Sequence, residues 1–161
     1  MSERNLIHKG GRALGQTGFG AWLGANMLYA LDRWWMRLSN GRSSLTAILT
    51  GLPIITITTT GAKSGQPRTQ PLVGIPNGDK LVIIASNFGQ KRNPAWYYNL
   101  RANPQATVVI NGRSQTMLAR ETDGAEREQY WETAVATYVG YALYKKKASH
   151  RKIPVLLLTP V

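Results

Sequence analysis

The chain has 161 residues, enough for one domain with a real core plus a terminal extension, and its 43% apolar content argues against disorder of the whole. Twenty Lys and Arg against eight Asp and Glu leave a net charge of +12, a field that attracts nucleic acid, an anionic membrane or a phosphorylated, carboxylate-rich cofactor. With no Cys and only His8 and His150, disulfides, thiolate nucleophiles and Cys-ligated metal centres are excluded, and a His-built metal site is disfavoured.

Residues 1–20 are polar, basic and rich in Gly, and read as an arm. Over 21–39 the positions Trp22, Leu23, Met27, Leu28, Leu31, Trp34, Trp35 and Leu38 recur at helical spacing, with Arg33 and Arg37 four apart on the other side. Such a helix packs on a domain or lies on a membrane surface. The apolar run Phe19–Leu31 is too short and too interrupted to span a bilayer, and no cleavable secretory signal accompanies it. The expectation is a cytoplasmic protein, with residues 1–44 available for peripheral contact with an anionic membrane and residues 45–161 forming the main domain.

Residues 54–60 are β-branched throughout and predict a strand. A Gly61–Pro67 turn leads to a second strand over 68–76. Asn77-Gly78-Asp79 is a hairpin turn, because Asn-Gly tolerates positive φ, and Leu81–Ala85 is a buried strand. These three strands predict an antiparallel meander. After a polar loop at 87–93, Asn93 as cap and Pro94 in the first turn open a short helix carrying Trp96, Tyr97 and Leu100. Strands at 106–110 and 114–120 flank the turn Asn111-Gly112. Residues 123–143 predict one helix capped by Asp123, residues 145–152 a basic, flexible link, and residues 153–159 a final strand. About six strands and three helices, joined mostly by hairpins and without βαβ alternation, predict an α+β fold: a small antiparallel barrel with helices packed outside.

Four features carry chemistry. In the loop Gly61-Ala62-Lys63-Ser64-Gly65-Gln66-Pro67-Arg68, glycines let successive N–H groups point one way, Thr60 and Ser64 add hydroxyls, and Lys63 and Arg68 add a point charge and a fork. This pattern is an anion cradle or an ordinary hairpin turn with two solvated cations; its spacing is not that of a Walker A loop. Asn93-Pro94-Ala95-Trp96 exposes the free N–H groups of a helix start. Ala85-Ser86-Asn87, small residues at a strand end, let a flat ring approach the backbone. Tyr138, Tyr141 and Tyr144 recur every three residues, either as core or as the lining of an aromatic pocket. No carboxylate pair suits a glycosidase, and no Gly-x-Ser-x-Gly or Ser-x-x-Lys nucleophile is present. An anion cradle without acid–base machinery points to chemistry supplied by a cofactor. A nucleic-acid partner is not expected, because the aromatic residues do not alternate with cations along a strand.

The run Thr58-Thr59-Thr60-Gly61-Ala62-Lys63-Ser64-Gly65-Gln66-Pro67-Arg68, then Ala85-Ser86, then Asn93-Pro94-Ala95-Trp96-Tyr97-Tyr98-Asn99-Leu100 and the three tyrosines resemble the deazaflavin-dependent nitroreductase family from about residue 45 onward. The resemblance implies an FMN-binding-like split β-barrel that holds coenzyme F420, an 8-hydroxy-5-deazaflavin. It also implies hydride transfer to quinones, nitroaromatics or activated alkenes; the alternatives are an FMN-dependent split-barrel enzyme and a non-enzymatic basic protein that binds nucleic acid or a membrane surface. By position, Lys63, Ser64, Gln66 and Arg68 would hold the phosphate. Ala85, Ser86 and Asn87 would border the ring, and Ala95 and Trp96 would present N–H groups to it. Ser86 would also bond the substrate in a pocket shaped by Tyr138, Tyr141 and Tyr144. The chain departs from the family pattern at Ala62, where another cation is expected, and at Asn87-Phe88, where a Lys-Gly pair is usual.

Overall fold

The computed structural model describes residues 51–161. The amphipathic stretch 21–39 and the division between 1–44 and 45–161 lie outside the described residues.

Seven strands form one antiparallel sheet: β1 Ile54–Thr60, β2 Pro67–Val73, β3 Ile75–Asn77, β4 Lys80–Ile84, β5 Gln105–Ile110, β6 Arg113–Glu121 and β7 Val155–Pro160. Their order across the sheet is β2-β1-β5-β6-β7-β4-β3. The expected meander of the first three strands is therefore not what forms. The segment predicted as one strand over 68–76 is divided at Gly74 into β2, which pairs with β1, and β3, which pairs with β4. The cause is local. The Gly74 N–H donates to Pro53 O at 2.9 Å, and a Cβ at Gly74 would stand 2.7 Å from Ile55 Cγ2. Only glycine allows the chain to press against β1 there. Because β2 and β3 are the two ends of the sheet and are joined through one residue, the sheet curls into a barrel.

The Asn111-Gly112 turn forms as expected, whereas the β3–β4 turn is shifted by one residue: Asn77 pairs with Lys80 at the strand ends, and Gly78, at φ 66°, and Asp79 make the turn. At the β5–β6 turn Asn111 and Gly112 have φ of 50° and 78°, as a two-residue primed turn requires. Inside the barrel, alternate residues of each strand make one core: Ile55 and Ile57, Leu81 and Ile83, Ala106 and Val108, Met117, Leu156 and Leu158. Helix α1, Ala95–Ala102, adds Trp96, Tyr97 and Leu100 to this core. A second core lies on the other face of β4 and β7, where Val82, Ile84, Val155 and Leu157 meet Trp131, Ala134 and Tyr141. Burial on both faces explains why these two strands read as unbroken apolar runs.

The single helix expected over 123–143 is two helices, α2 Gly124–Thr137 and α3 Gly140–Lys147. Tyr138 is extended, with φ −146° and ψ 107°. Its ring lies over Gly140, where any side chain would overlap it. The expected basic link is also corrected: Lys145, Lys146 and Lys147 form the last turn of α3, where cations suit the helix C-terminus. Asp123 occupies the cap position of α2 without a capping side-chain hydrogen bond.

Candidate functional site

The cradle loop connects β1 to β2 and is closed by its own backbone. Gly61 N–H donates to Gln66 O, Gly65 N–H to Gly61 O, both at 2.8 Å, and Gln66 N–H to Ser64 Oγ at 3.3 Å. Gly65 sits at φ 67°, which a glycine adopts without strain. A Cβ at Gly61 would stand 2.5 Å from Ser64 Oγ and 3.1 Å from Gln66 O, so a side chain there would push the Ser64 hydroxyl out of its place in the loop. Among the described residues, the N–H groups of Lys63 and Ser64 have no acceptor. The ion pairs of the described residues are Arg120–Glu126 and Arg127–Glu128; Lys63 and Arg68 take part in neither and are exposed. Two unpaired cations beside two free N–H groups suit a dianionic phosphate.

One side chain ties this loop to the rest of the molecule. Asn99, buried on α1, accepts from Ala62 N–H at 2.9 Å and donates to Thr59 Oγ1 at 3.0 Å. Asn99 stands inside the Asn93–Leu100 motif, yet spacing gives no hint that its amide reaches across 37 residues of sequence to hold the loop. Ala62, the departure from the expected cation, contributes its N–H to this tie.

The N-terminus of α1 differs from expectation in one respect. Pro94, not Asn93, takes the cap position, and no side chain caps the helix. Asn93 Oδ1 instead accepts from Arg151 Nη1. Tyr97 N–H closes onto Pro94 O, which leaves the N–H groups of Ala95 and Trp96 without an acceptor among the described residues. Trp96 offers only its backbone to a ligand, since its side chain is packed in the barrel core. From Ala95 to Asn99 is about 6 Å along a helix axis, so the free N–H groups of the helix start lie about one turn from the residue that holds the cradle loop.

The second loop, 85–93, leaves β4 and makes a short 3-10 turn at Asn87–Gly89. Asn87, Phe88 and Gly89 have φ of 46°, 54° and 74°, a run of three left-handed residues. This conformation costs a non-glycine residue about 1 kcal/mol. Asn87 Nδ2 donates to Arg92 O at 2.8 Å and Gly89 N–H to Ser86 O at 2.9 Å. Ala85 is fully buried, and its N–H donates to Pro154 O. The Ser86 hydroxyl makes no hydrogen bond among the described residues.

The tyrosines meet, although not as one helical stripe. The break between α2 and α3 brings the Tyr138 ring to 5.6 Å from Tyr141 and 6.2 Å from Tyr144, centroid to centroid. Tyr138 and Tyr144 hydroxyls are 3.4 Å apart. Tyr141 is buried in the second core, whereas Tyr138 and Tyr144 are half-buried. Burial pushes the phenols of Tyr141 and Tyr144 well above their ordinary range, with the neighbouring Tyr138 adding to the rise. Both remain neutral donors at neutral pH. Phe88, itself exposed, packs edge-on against Tyr144 at 5.9 Å and joins the tyrosines to the 85–93 loop. Phe88 thus joins the tyrosines to the 85–93 loop, that loop runs into α1, and Asn99 of α1 joins the cradle loop. No cluster of His, Cys, Asp or Glu among the described residues could hold a metal ion.

The model of the F420H2-dependent quinone reductase family matches residues 30–160. This chain belongs to that family. It is an F420H2-dependent reductase, and its cofactor is the deazaflavin coenzyme F420. An F420H2-dependent quinone reductase of Mycobacterium tuberculosis is 34% identical over 110 residues, spanning 66% of this chain and 73% of that one. The solved structure of an F420H2-dependent reductase is 41% identical, covers 66% of this chain and 94% of that one, and superposes with a TM-score of 0.62. A structure described as a domain-swapped dimer is 33% identical, covers 86% and 98%, and has a TM-score of 0.63. The haem storage protein HutZ of Vibrio cholerae, 12% identical with a TM-score of 0.53 over 68% of this chain, shares the fold alone. The expected split barrel is the fold observed. No helix among the described residues is long and apolar enough to cross a membrane.

Proposed function

We propose that this reductase transfers a hydride from reduced F420 to a quinone, and on the same surface to nitroaromatics or activated alkenes. One observation carries the reading. Among the described residues, unpaired donors come from one loop and one helix start: the Lys63 and Arg68 cations with the N–H groups of Lys63 and Ser64, and the N–H groups of Ala95 and Trp96 that open α1, on the side of the molecule where the 85–93 loop meets the tyrosines. Lys63 and Arg68 would bind the phosphate of the coenzyme, with Ser64 and Gln66 beside them. Ala85, Ser86 and Asn87 would border its ring, which the N–H groups of Ala95 and Trp96 would meet from the helix start.

When bound, the reduced deazaflavin supplies the hydride. The chain supplies position and polarity. Ser86 Oγ and the hydroxyls of Tyr138 and Tyr144 would donate to the acceptor oxygen, where negative charge grows as hydride arrives. With its ionisation pushed up by burial, Tyr144 would serve as a donor and not as a proton source at neutral pH, while the buried Tyr141 would back the pocket wall; the proton that completes a quinol would come from solvent. Phe88 and Tyr144 would shield the meeting point from water. The amphipathic pattern at 21–39 supports an anionic membrane surface as the place where an apolar quinone is met.

The test is to mix the protein with reduced F420 or reduced FMN, add menadione, and follow coenzyme oxidation. Tight binding of F420 with rapid oxidation on adding the quinone is expected. Binding and turnover with FMN alone would sink the proposal. A nitroaromatic and an enone in place of menadione define the acceptor range.

A further inference from the structure

Arg151 lies four residues before β7, in a segment whose sequence reads as a basic, flexible link, yet four of the five N–H donors of its guanidinium are engaged. Nε donates to Gln90 O at 2.9 Å, Nη1 to Ala85 O at 3.4 Å and to Asn93 Oδ1, and Nη2 to Ser86 O at 2.8 Å. Two of these acceptors are at the start of the 85–93 loop and two near its end. Every acceptor is neutral, and no carboxylate pairs with the cation among the described residues. The adjacent His150 adds a contact from Nε2 to Lys91 O at 3.3 Å.

Between those pinned ends stand the three left-handed residues Asn87, Phe88 and Gly89. A turn of that kind persists only where its surroundings over-determine it. Within the loop, Gly89 N–H donates to Ser86 O, Gln90 N–H to Asn87 O and Asn87 Nδ2 to Arg92 O. Across the loop, the planar guanidinium is what joins entry to exit, and its five donors in one fork are suited to four acceptors at once. A lysine has one nitrogen and cannot span them.

We propose that Arg151 is a positioning residue for hydride transfer: by clamping Ala85, Ser86, Gln90 and Asn93 it holds the left-handed turn that sets Ser86 and Phe88 against the ring and the tyrosines. The inference rests on the placement of ring and acceptor given under Proposed function. Arg151 itself touches neither. The same bonds tie the start of α1, through Asn93, to the loop, so the free N–H groups of Ala95 and Trp96 are held in register with Ser86.

The test compares wild-type protein with Arg151→Lys, Arg151→Met and Asn93→Ala, the last removing one acceptor as a milder break. Amide hydrogen exchange without coenzyme reads the clamp directly. Protection at Gly89 and Gln90 should fall at least tenfold in Arg151→Met, and less in Arg151→Lys and Asn93→Ala, while β1 and β5 stay protected. F420 titration and menadione kinetics read the consequence. The turnover number should fall at least tenfold in Arg151→Met with the KM for menadione and the F420 affinity changing less, and Arg151→Lys should recover only part of it. Unchanged protection at 89–90 overturns the clamp even if wild-type protein oxidises reduced F420 normally. Lost protection with unchanged turnover overturns the positioning role. Failure of the wild-type protein to oxidise reduced F420 would count against the proposed function and leave the exchange result standing.

Discussion

Loop 61–68 is closed by its own backbone and by one buried amide, Asn99, and keeps Lys63 and Arg68 exposed and, among the described residues, without acidic partners. Loop 85–93 is the reverse: a cation, Arg151, is consumed in holding it, and its tip is a left-handed turn that stands against the tyrosines. Both are tied to α1. A wall that binds charge has to leave its donors unpaired, whereas a wall that presents a shape has to be braced. The difference predicts that damage to the first loop weakens coenzyme binding with little effect on the fold, and that damage to the second disturbs the fold and the chemistry.

Glycine substitutions break the comparison most strongly. A Cβ at Gly89, φ 74°, would stand 2.8 Å from Lys147 Cβ and 3.0 Å from Tyr144 O. Strain plus contact is worth about 3 kcal/mol, so Gly89→Ala should lower the Tm by roughly 6–12 °C. Gly65, φ 67°, has nothing within 4 Å of such a Cβ. Gly65→Ala therefore carries only the strain, about 1 kcal/mol or roughly 3 °C. Equal losses by thermal melting would show that the two loops are not braced differently.

Asn99→Ala comes next. It leaves the Ala62 N–H and the buried Thr59 hydroxyl without their partner, at about 2 kcal/mol. A Tm fall of a few degrees with F420 affinity about tenfold weaker is expected. Loss of stability with unchanged affinity would detach Asn99 from the coenzyme site.

Tyr141 allows a pH test. Its folded ionisation lies above the unfolded value of about 10, so below pH 10 both states hold the proton and stability is unaffected. Above pH 10 the unfolded state loses its proton first, and stability falls by about 1.4 kcal/mol per pH unit for that group. Tyr141→Phe should remove this share of the alkaline decline measured by denaturant melts between pH 9 and 11. An identical decline in the variant would mean that the phenol is not held neutral by burial.

The smallest structural effect belongs to Tyr138→Phe. It deletes a long contact, 3.4 Å to the Tyr144 hydroxyl, worth about 0.5 kcal/mol, so the Tm should move by a degree or two. F420 affinity should hold while menadione turnover changes several-fold. A large loss of F420 affinity would move Tyr138 from the substrate side to the coenzyme side.

Much of the barrel was legible because its signals are short-range. The β-branched run 54–60, the turns Asn77-Gly78-Asp79 and Asn111-Gly112, and the apolar runs 81–85 and 155–158 each carry their own periodicity or turn chemistry. What escaped depends on tertiary contact. Gly74 reads as one residue inside a strand, and only its approach to Ile55 reveals that the chain bends there to close the barrel. The helix over 123–143 breaks because a Tyr138 ring occupies the space above Gly140, and continuous helical spacing hides that contact. Asn93 looks like a cap by type, but Arg151 takes its oxygen. The residues proposed for the site that carry charge or glycine in their motif stand out in the sequence by type. Asn99 and Arg151, which act through hydrogen bonds across 37 and about 60 residues of chain, leave no local pattern.

In the function proposed above, loop 61–68 gives its two cations to the coenzyme and not to the fold. The direct measurement is an F420 titration, by fluorescence, of wild-type protein and of Lys63→Ala combined with Arg68→Ala, with a thermal melt of each. Two charge-assisted contacts at about 1.5 kcal/mol apiece predict affinity about a hundredfold weaker with the Tm within a degree or two of wild type. Unchanged affinity in a folded double variant would contradict it.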